Sequence, residues 1–234
     1  MGSIEELKER VWRCNMDLFE KNLVVQTFGN VSAIDRERGI IAIKPSGVSY
    51  PQLTTDKIVL VDMENNVIDG NLRPSSDTPT HTVLYNAFLK IGGIVHTHSP
   101  YATAWAQAKR GIPCLGTTHA DFIQGEIPCT DELTDDQIEG DYEIETGKQI
   151  IKRFSNISPE DVEMVLVANH GPFTWGRTAE DAVSNTAILE ELAKMSLFTI
   201  LIEPEIQEIN KMLLDKHFLR KHGKNAYYGQ KKNK

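Results

Sequence analysis

The chain has 234 residues, a formal net charge of −8 at pH 7, 40% hydrophobic residues and 25% charged residues. This length is sufficient for one domain with a substantial core, and the acidic balance disfavours general nucleic-acid binding. No apolar run approaches the roughly 20 residues of a membrane span, and the acidic start "MGSIEELKER" argues against a signal peptide.

Cysteine usage and charge distribution indicate the compartment and the partners. Cys14, Cys114 and Cys129 form no CxxC pair, so we expect structural thiols in a reducing cytoplasm. Residues 211–234 carry eight Lys or Arg residues and one acidic residue. Such a basic end could contact RNA, contact a membrane or cover an anionic small substrate, and the acidic remainder of the chain makes RNA the weakest of these. Residues 231–234 should form a disordered basic tail.

The first part of the chain alternates helices with short strands. "SIEELKERVWRCNMDLFEKNL" predicts an amphipathic helix with a Ser3–Glu6 capping box. Two antiparallel hairpins follow, with polar turns at 35–39 and 64–66. "TPTHTVLYNAFLK" then predicts a helix that is capped by Asp77 or Thr78.

The second part begins with the strand "IGGIVHTHS" and the helix "YATAWAQA", which Ser99 should cap. Residues 111–130 are strand-like and rich in turns, "YEIETGKQIIKRF" is helical, and "EMVLVANHG" is a strand. A long helix starts at a Thr178–Asp181 capping box, and a last helix should end at Gly223.

Strands joined by hairpins, with helices before, between and after them, predict an α/β layered domain. Its sheet should be mixed or mainly antiparallel rather than doubly wound. The chain contains no GxGxxG and no GxxxxGK[ST] motif, so the sequence gives no support for a nucleotide cofactor.

Three histidines follow the ends of predicted strands. Alternation along a strand points His96 and His98 to one face, with their backbones roughly 6–7 Å apart, a common donor pair for a divalent metal. His170 follows the strand at 165–167, and three such ligands would leave an open coordination position, as in catalytic zinc sites. Asp77 is a candidate fourth ligand or nearby base. Two alternatives stay open: the paired histidines could only hydrogen-bond at a strand end, and Asp77 could only cap its helix.

Two further segments have the residue types that hold an anion. "IKPSGVSY" brings Lys44 into a turn that exposes the Ser46 hydroxyl and the Gly47 amide. "PSSD" places Ser75 and Ser76 at a helix N-terminus, where free amides and the helix dipole favour phosphate. Each segment could also be ordinary turn or cap chemistry, but together with a metal site they indicate a phosphorylated small molecule.

The motifs "TFGNVSA", "IKPSGV", "RPSSDTPTH", "GGIVHTHS", "GTTHADF", "NHGPFTWG" and "LRKHGKNAYYGQ" together resemble the class II aldolase/adducin superfamily, and within it the L-ribulose-5-phosphate 4-epimerase branch. The resemblance extends from about residue 5 to Gln230. It implies one three-layer α/β/α domain over residues 1–230, around a mixed, mainly antiparallel sheet. It also implies a homotetramer with its active sites at subunit interfaces.

The resemblance assigns roles to individual positions. Its metal ligands fall on Asp77, His96, His98 and His170. Its substrate-binding residues fall on Gly29, Asn30, Ser46, Gly47, Ser75 and Ser76, to which the anion-holding segment adds Lys44, and His217 and Arg220 could line the same site. Its acid/base pair falls on Asp121 and Tyr228, the second of which is expected to reach into a neighbouring subunit.

The implied activity is interconversion of L-ribulose 5-phosphate and D-xylulose 5-phosphate in cytoplasmic pentose catabolism. It would proceed by retro-aldol cleavage to an enediolate and glycolaldehyde phosphate, with zinc as the expected divalent ion and manganese as the alternative. A class II sugar-phosphate aldolase that releases the aldehyde is the alternative activity. An adducin-like scaffold without catalysis would be expected to lack the histidines, all three of which are present.

Overall fold

The computed structural model describes residues 2–222, 226 and 227. Within them the helices are α1 (Ile4–Glu20), α2 (Thr78–Ala87), α3 (Pro100–Gln107), α4 (Thr117–Ala120), α5 (Asp135–Glu139), α6 (Tyr142–Arg153), α7 (Ala179–Ile202) and α8 (Lys211–His222). The strands are β1 (Asn30–Asp35), β2 (Ile40–Ile43), β3 (Val59–Val61), β4 (Val67–Asp69), β5 (Gly93–His96), β6 (Met164–Leu166) and β7 (Pro172–Gly176).

The capping boxes at the starts of α1 and α7 form as the sequence predicts. The Ser3 hydroxyl accepts from the Glu6 amide at 3.1 Å, and the Glu6 carboxylate accepts from the Ser3 amide at 2.7 Å. Thr178 and Asp181 make the equivalent pair at the start of α7. These reciprocal bonds satisfy amides that a helix leaves without partners.

The strands form one seven-stranded sheet in the order β4-β3-β2-β1-β5-β7-β6. All six pairings between neighbouring strands are antiparallel. β5 therefore lies inside the sheet, between β1 and β7, and the two predicted hairpins are β1–β2 and β3–β4. The mainly antiparallel sheet is confirmed.

Helices cover both faces of the sheet. α1 and the start of α7 bury their apolar side chains against one face, around Val31 and Val95. α2 and α6 pack on the other face, around Ile94 and Trp175. A third cluster joins α3 to α7 and β6. The three-layer α/β/α arrangement is thus confirmed.

Several local expectations are wrong. Residues 111–130 contain α4 and two isolated bridges in place of a strand, one between Ile112 and Ile127 and one between Cys129 and Leu166. The sequence does not predict α5, nor β7, which begins at a proline that would normally disfavour a strand. Ser99 has the extended backbone of an N-cap, but its side chain makes no capping bond.

Two expectations fall on residues that the structure does not describe, namely the end of the last helix at Gly223 and the basic tail at 231–234. No helix within the described part of the chain is long and apolar enough to cross a bilayer.

The backbone of β5 passes so close to α7 that Gly93 has no room for a side chain. A Cβ there would lie 2.3 Å from the Ala179 Cα and 2.5 Å from the Ala179 nitrogen. We expect Gly93→Ala to lower the free energy of unfolding by about 2 kcal/mol, because backbone atoms of α7 would have to move. Chemical denaturation would measure this loss.

Gly116→Ala is the matched control, since a Cβ at Gly116 would meet nothing within 4 Å. Its stability should stay within about 0.5 kcal/mol of the wild type. Equal losses in the two variants would contradict the prediction.

Candidate active site

His96 ends β5 and is fixed from both neighbouring strands. It lies opposite Asn30 of β1 and Phe173 of β7 in the sheet register. Its ring stacks on Phe173 with the ring centroids 4.2 Å apart. Its Nδ1 lies 2.9 Å from the Pro172 carbonyl, which can only accept, so Nδ1 carries a proton and Nε2 is the ring nitrogen left to coordinate a metal.

The other two histidines converge on this Nε2. His98 lies beyond the end of β5, and its Nε2 is 3.0 Å from the His96 Nε2. His170 lies in the β6–β7 turn, after Asn169, whose φ of 62° is left-handed. One ring nitrogen from each of the three histidines lies within 4.8 Å of the others. The fold thus brings His170 to the His96 and His98 pair, which lies far from it along the chain.

The electrostatics of the cluster suit a metal ion. Burial, together with the neighbouring imidazoles, lowers the pKa of His170 to about 3 and also lowers the pKa of His98. Both rings are therefore neutral at pH 7, which is the form that coordinates a metal. Three imidazoles with an open side match the ligands of catalytic zinc, and imidazole also accepts other transition metals.

Asp77 lies beside the cluster, outside the group of three donors. Its carboxylate accepts from the Asn30 side-chain amide at 2.6 Å and from the Ser75 hydroxyl at 3.4 Å. Burial alone would raise the pKa of Asp77, but the nearby histidines and the Asn30 hydrogen bond outweigh it and lower this pKa. Asp77 occupies the N-cap position of α2 without making a side-chain capping bond. Its direct contact with a metal stays a prediction.

The histidines open into a cavity of about 410 Å³. The residues that the sequence assigned to substrate binding, apart from His217 and Arg220, line this cavity with them: Gly29, Asn30, Lys44, Ser46, Gly47, Ser75 and Ser76. The two serine-containing turns are held side by side, because the Ser46 amide donates to the Arg73 carbonyl at 2.9 Å and the Ser75 amide to the Lys44 carbonyl at 3.0 Å. Residues from distant segments thus face the same space.

Lys44 brings a buried amine to this cavity. Its Nζ donates to the Thr27 carbonyl at 3.2 Å and lies 5.0 Å from the centroid of the Tyr50 ring. The residue is only 1% exposed, and burial lowers the pKa of Lys44 to about 8. At pH 7 the amine is mainly protonated, so the cavity contains a weakly hydrated cation that suits an anionic ligand.

Asp121, His217 and Arg220 do not line the cavity of their own chain. Asp121 instead accepts from Arg220 at 3.0 and 2.6 Å, and its Oδ1 lies 3.0 Å from the His217 Nδ1. Burial alone would raise the pKa of Asp121, but the bonds from Arg220 and His217 outweigh it and lower the pKa to about 2. These contacts hold α8 against α4. Tyr228 lies outside the described residues.

Sequence reasoning missed some residues that line the cavity. The Tyr142 hydroxyl lies 3.3 Å from the His170 Nδ1, and Phe28 stacks on His98 with the ring centroids 5.8 Å apart. Glu143 and Thr27 also face this space. Phe28 belongs to the motif "TFGNVSA" and could have been predicted from it. Tyr142 and Glu143 only open a helix, and no local pattern distinguishes them.

The comparison with protein families identifies the class of protein. The family described as Class II Aldolase and Adducin N-terminal domain matches residues 9–197. The chain belongs to this family, as the sequence motifs indicated.

Solved structures of similar fold include an L-fuculose 1-phosphate aldolase, with 24% identity, a TM-score of 0.77 and coverage of 93% of this chain and 96% of that chain. YgbL of Klebsiella pneumoniae, whose name leaves aldolase, epimerase and decarboxylase activity open, has 24% identity, a TM-score of 0.72 and coverage of 92% and 99%. The L-fuculose-1-phosphate aldolase of Thermus thermophilus has 20% identity, a TM-score of 0.65 and coverage of 87% and 98%. These likenesses support the fold.

Removing one imidazole should remove the metal. We expect about one zinc ion per wild-type chain, and His170→Ala should weaken zinc binding by more than roughly 100-fold, since even outer contacts of a metal site contribute 10–100-fold. Competition with a chromogenic chelator would measure the affinity. His217→Asn is the control, because His217 lies outside the cavity. Unchanged zinc affinity in His170→Ala would refute the site.

Anion binding should depend on the protonation of Lys44. Affinity for inorganic phosphate should fall as the pH rises through about 8, because the amine loses its charge there. Lys44→Met should weaken binding at pH 7 and abolish this dependence on pH. Calorimetric titrations at pH 7 and pH 9 would measure both effects. The control Lys57→Met removes a lysine outside the cavity and should behave as the wild type. A wild-type affinity that is flat between these pH values would contradict the prediction.

Proposed function

We propose that the chain is a divalent-metal-dependent epimerase that interconverts L-ribulose 5-phosphate and D-xylulose 5-phosphate at C4. The observation that carries the proposal is one cavity lined by three converging imidazoles, a buried amine and two serine turns. Such a cavity can hold the metal-binding carbonyl group and the phosphate of one molecule. The resemblance of the "LRKHGKNAYYGQ" segment to the epimerase branch favours this substrate.

The position of the inverted carbon determines the chemistry. The C4 proton is not adjacent to the C2 carbonyl, so simple enolisation cannot exchange it. The chain also lacks a motif for a nicotinamide cofactor that could oxidise C4 transiently. The remaining route is cleavage of the C3–C4 bond. It converts C4 into a planar aldehyde carbon, so the configuration at C4 is lost in one step.

The proposed reaction begins when a base removes the C4 hydroxyl proton. The electron pair of that oxygen forms the aldehyde of glycolaldehyde phosphate, and the C3–C4 bonding pair moves to the enediolate of dihydroxyacetone. The aldehyde turns, C3 attacks its other face, and an acid returns the proton to the C4 oxygen. A divalent ion, zinc or manganese, supplies Lewis-acid stabilisation of the enediolate charge when it is bound.

The residues of the cavity divide these tasks. His96, His98 and His170 would hold the ion, with Asp77 beside them as a further ligand or as a group that orients Asn30. Lys44 and the hydroxyls of the serine turns would hold the phosphate, so that the aldehyde stays bound while it turns. The backbone at Gly29 and Gly47 would shape the walls.

Asp121 and Tyr228 are proposed as the acid/base pair of a neighbouring chain's cavity in a homotetramer. Support comes from the position of Asp121 outside its own chain's cavity, bonded to α8 rather than placed beside the histidines. Support also comes from large exposed apolar residues on the end of α7 and on α8: Phe198 is 46% exposed, Ile202 84% and Met212 83%. Apolar exposure of this kind is typical of a protein–protein contact. For proton transfer in that cavity, Asp121 would have to replace a hydrogen bond from Arg220 with one to the substrate.

A class II aldolase is the second candidate, favoured by the fold likeness to two proteins named L-fuculose 1-phosphate aldolases. Such an enzyme would cleave a sugar phosphate in the same way but release the aldehyde. The two functions differ in whether the aldehyde is retained.

Incubation with L-ribulose 5-phosphate distinguishes them. We expect D-xylulose 5-phosphate as the product, formed only with metal and lost on chelation, as measured by NMR. Accumulation of dihydroxyacetone and glycolaldehyde phosphate, or faster cleavage of L-fuculose 1-phosphate, would replace the epimerase with the aldolase. Within the same assay, Asp121→Asn and Tyr228→Phe should lose turnover with unchanged metal content. Turnover in either variant would remove that residue from the mechanism.

A further inference from the structure

The helix α3 connects two of the three histidines. At its start, His98 precedes Ser99 and Pro100, the first residue of α3. Near its end, the Ala106 carbonyl accepts a hydrogen bond of 2.9 Å from the amide of Asn169, the residue before His170. The separation of these two imidazoles therefore depends on where α3 lies.

The start of α3 is held by a side chain from another helix. Glu190 of α7 is only 7% exposed, and its two carboxylate oxygens accept from the amides of Tyr101 and Ala102, each at 2.9 Å. The expected cap, Ser99, makes no such bond. Glu190 thus satisfies amides at the start of the helix that its own N-cap leaves open.

A second contact ties the same two helices together further along. The Trp105 indole nitrogen donates to the Ala193 carbonyl at 3.0 Å, so α3 is attached to α7 at a second point. The Trp105 bond constrains the middle of α3, whereas the Glu190 bonds constrain two amides close to His98.

We propose that Glu190 is a positioning residue for the metal centre, one that fixes the start of α3 and thereby places His98 relative to His170. It does not line the cavity and touches none of the three histidines in the described contacts. The inference rests on the metal centre of the proposed function and extends it to a residue on a different helix.

Glu190→Gln tests this with little change in shape. The glutamine oxygen can still accept from one amide, but its NH₂ group faces the other donor, and the charge at the helix start is lost. We expect zinc affinity to fall about tenfold, the low end for contacts outside the ligands themselves. We also expect faster hydrogen exchange at the amides of residues 101–103 in zinc-free protein.

Asp181→Asn is the matched control. Asp181 is also a carboxylate bonded at a helix start, on the same α7, but no histidine of the metal centre adjoins the helix start that it caps. It should lower thermal stability without changing zinc affinity.

The inference would be overturned if Glu190→Gln bound zinc within twofold of the wild-type affinity, or if Asp181→Asn lost as much affinity. Neither result would affect the proposed function. If the wild-type protein binds no zinc, the proposed function and this inference both fail, so the two failures are distinguishable.

Discussion

The antiparallel pairing of β5 with β1 on one side and β7 on the other is the constraint on which the site depends. This pairing sets Asn30, His96 and Phe173 in one row across three strands. The Pro172 carbonyl at the start of β7 then fixes the protonated nitrogen of His96. Gly93 allows β5 to pass against the first residue of α7, so the strand cannot shift without a clash. His96 thus takes its position from strand hydrogen bonds, which are more rigid than loops, and His98 and His170 lie just beyond the ends of strands.

The charges in the cavity suit both a metal cation and an anionic ligand. Burial keeps His98 and His170 neutral, so they can hold a metal without first losing protons. Burial also weakens but does not remove the charge of Lys44 at pH 7. Three histidines that could hold a metal and a buried amine that could bind an anion thus line one cavity, as the proposed sugar-phosphate chemistry requires.

Local signals in the sequence predict much of this arrangement, and tertiary contacts account for the rest. The capping boxes and hairpin turns are encoded within a few residues, and the histidines at strand ends were sufficient to predict that they cluster. β7 was missed because Pro172 opens it and its burial on both faces leaves no alternation. The position of Asp121 depends on α8, and the role of Glu190 depends on a contact 88 residues away along the chain. No short pattern records either.

The interior position of β5 also has a consequence for the order of folding. The β1–β2 and β6–β7 hairpins close short loops, whereas β5 pairs with β1, which precedes it, and with β7, which follows it much later in the chain. Closing these longer loops costs more chain entropy, so we expect the pairings of β5 to form more slowly. Until β5 docks, β1 and β7 each present an open edge to other chains. We therefore expect the ability to bind zinc to appear in the slowest refolding phase. The tendency of the chain to aggregate should disappear in the same phase.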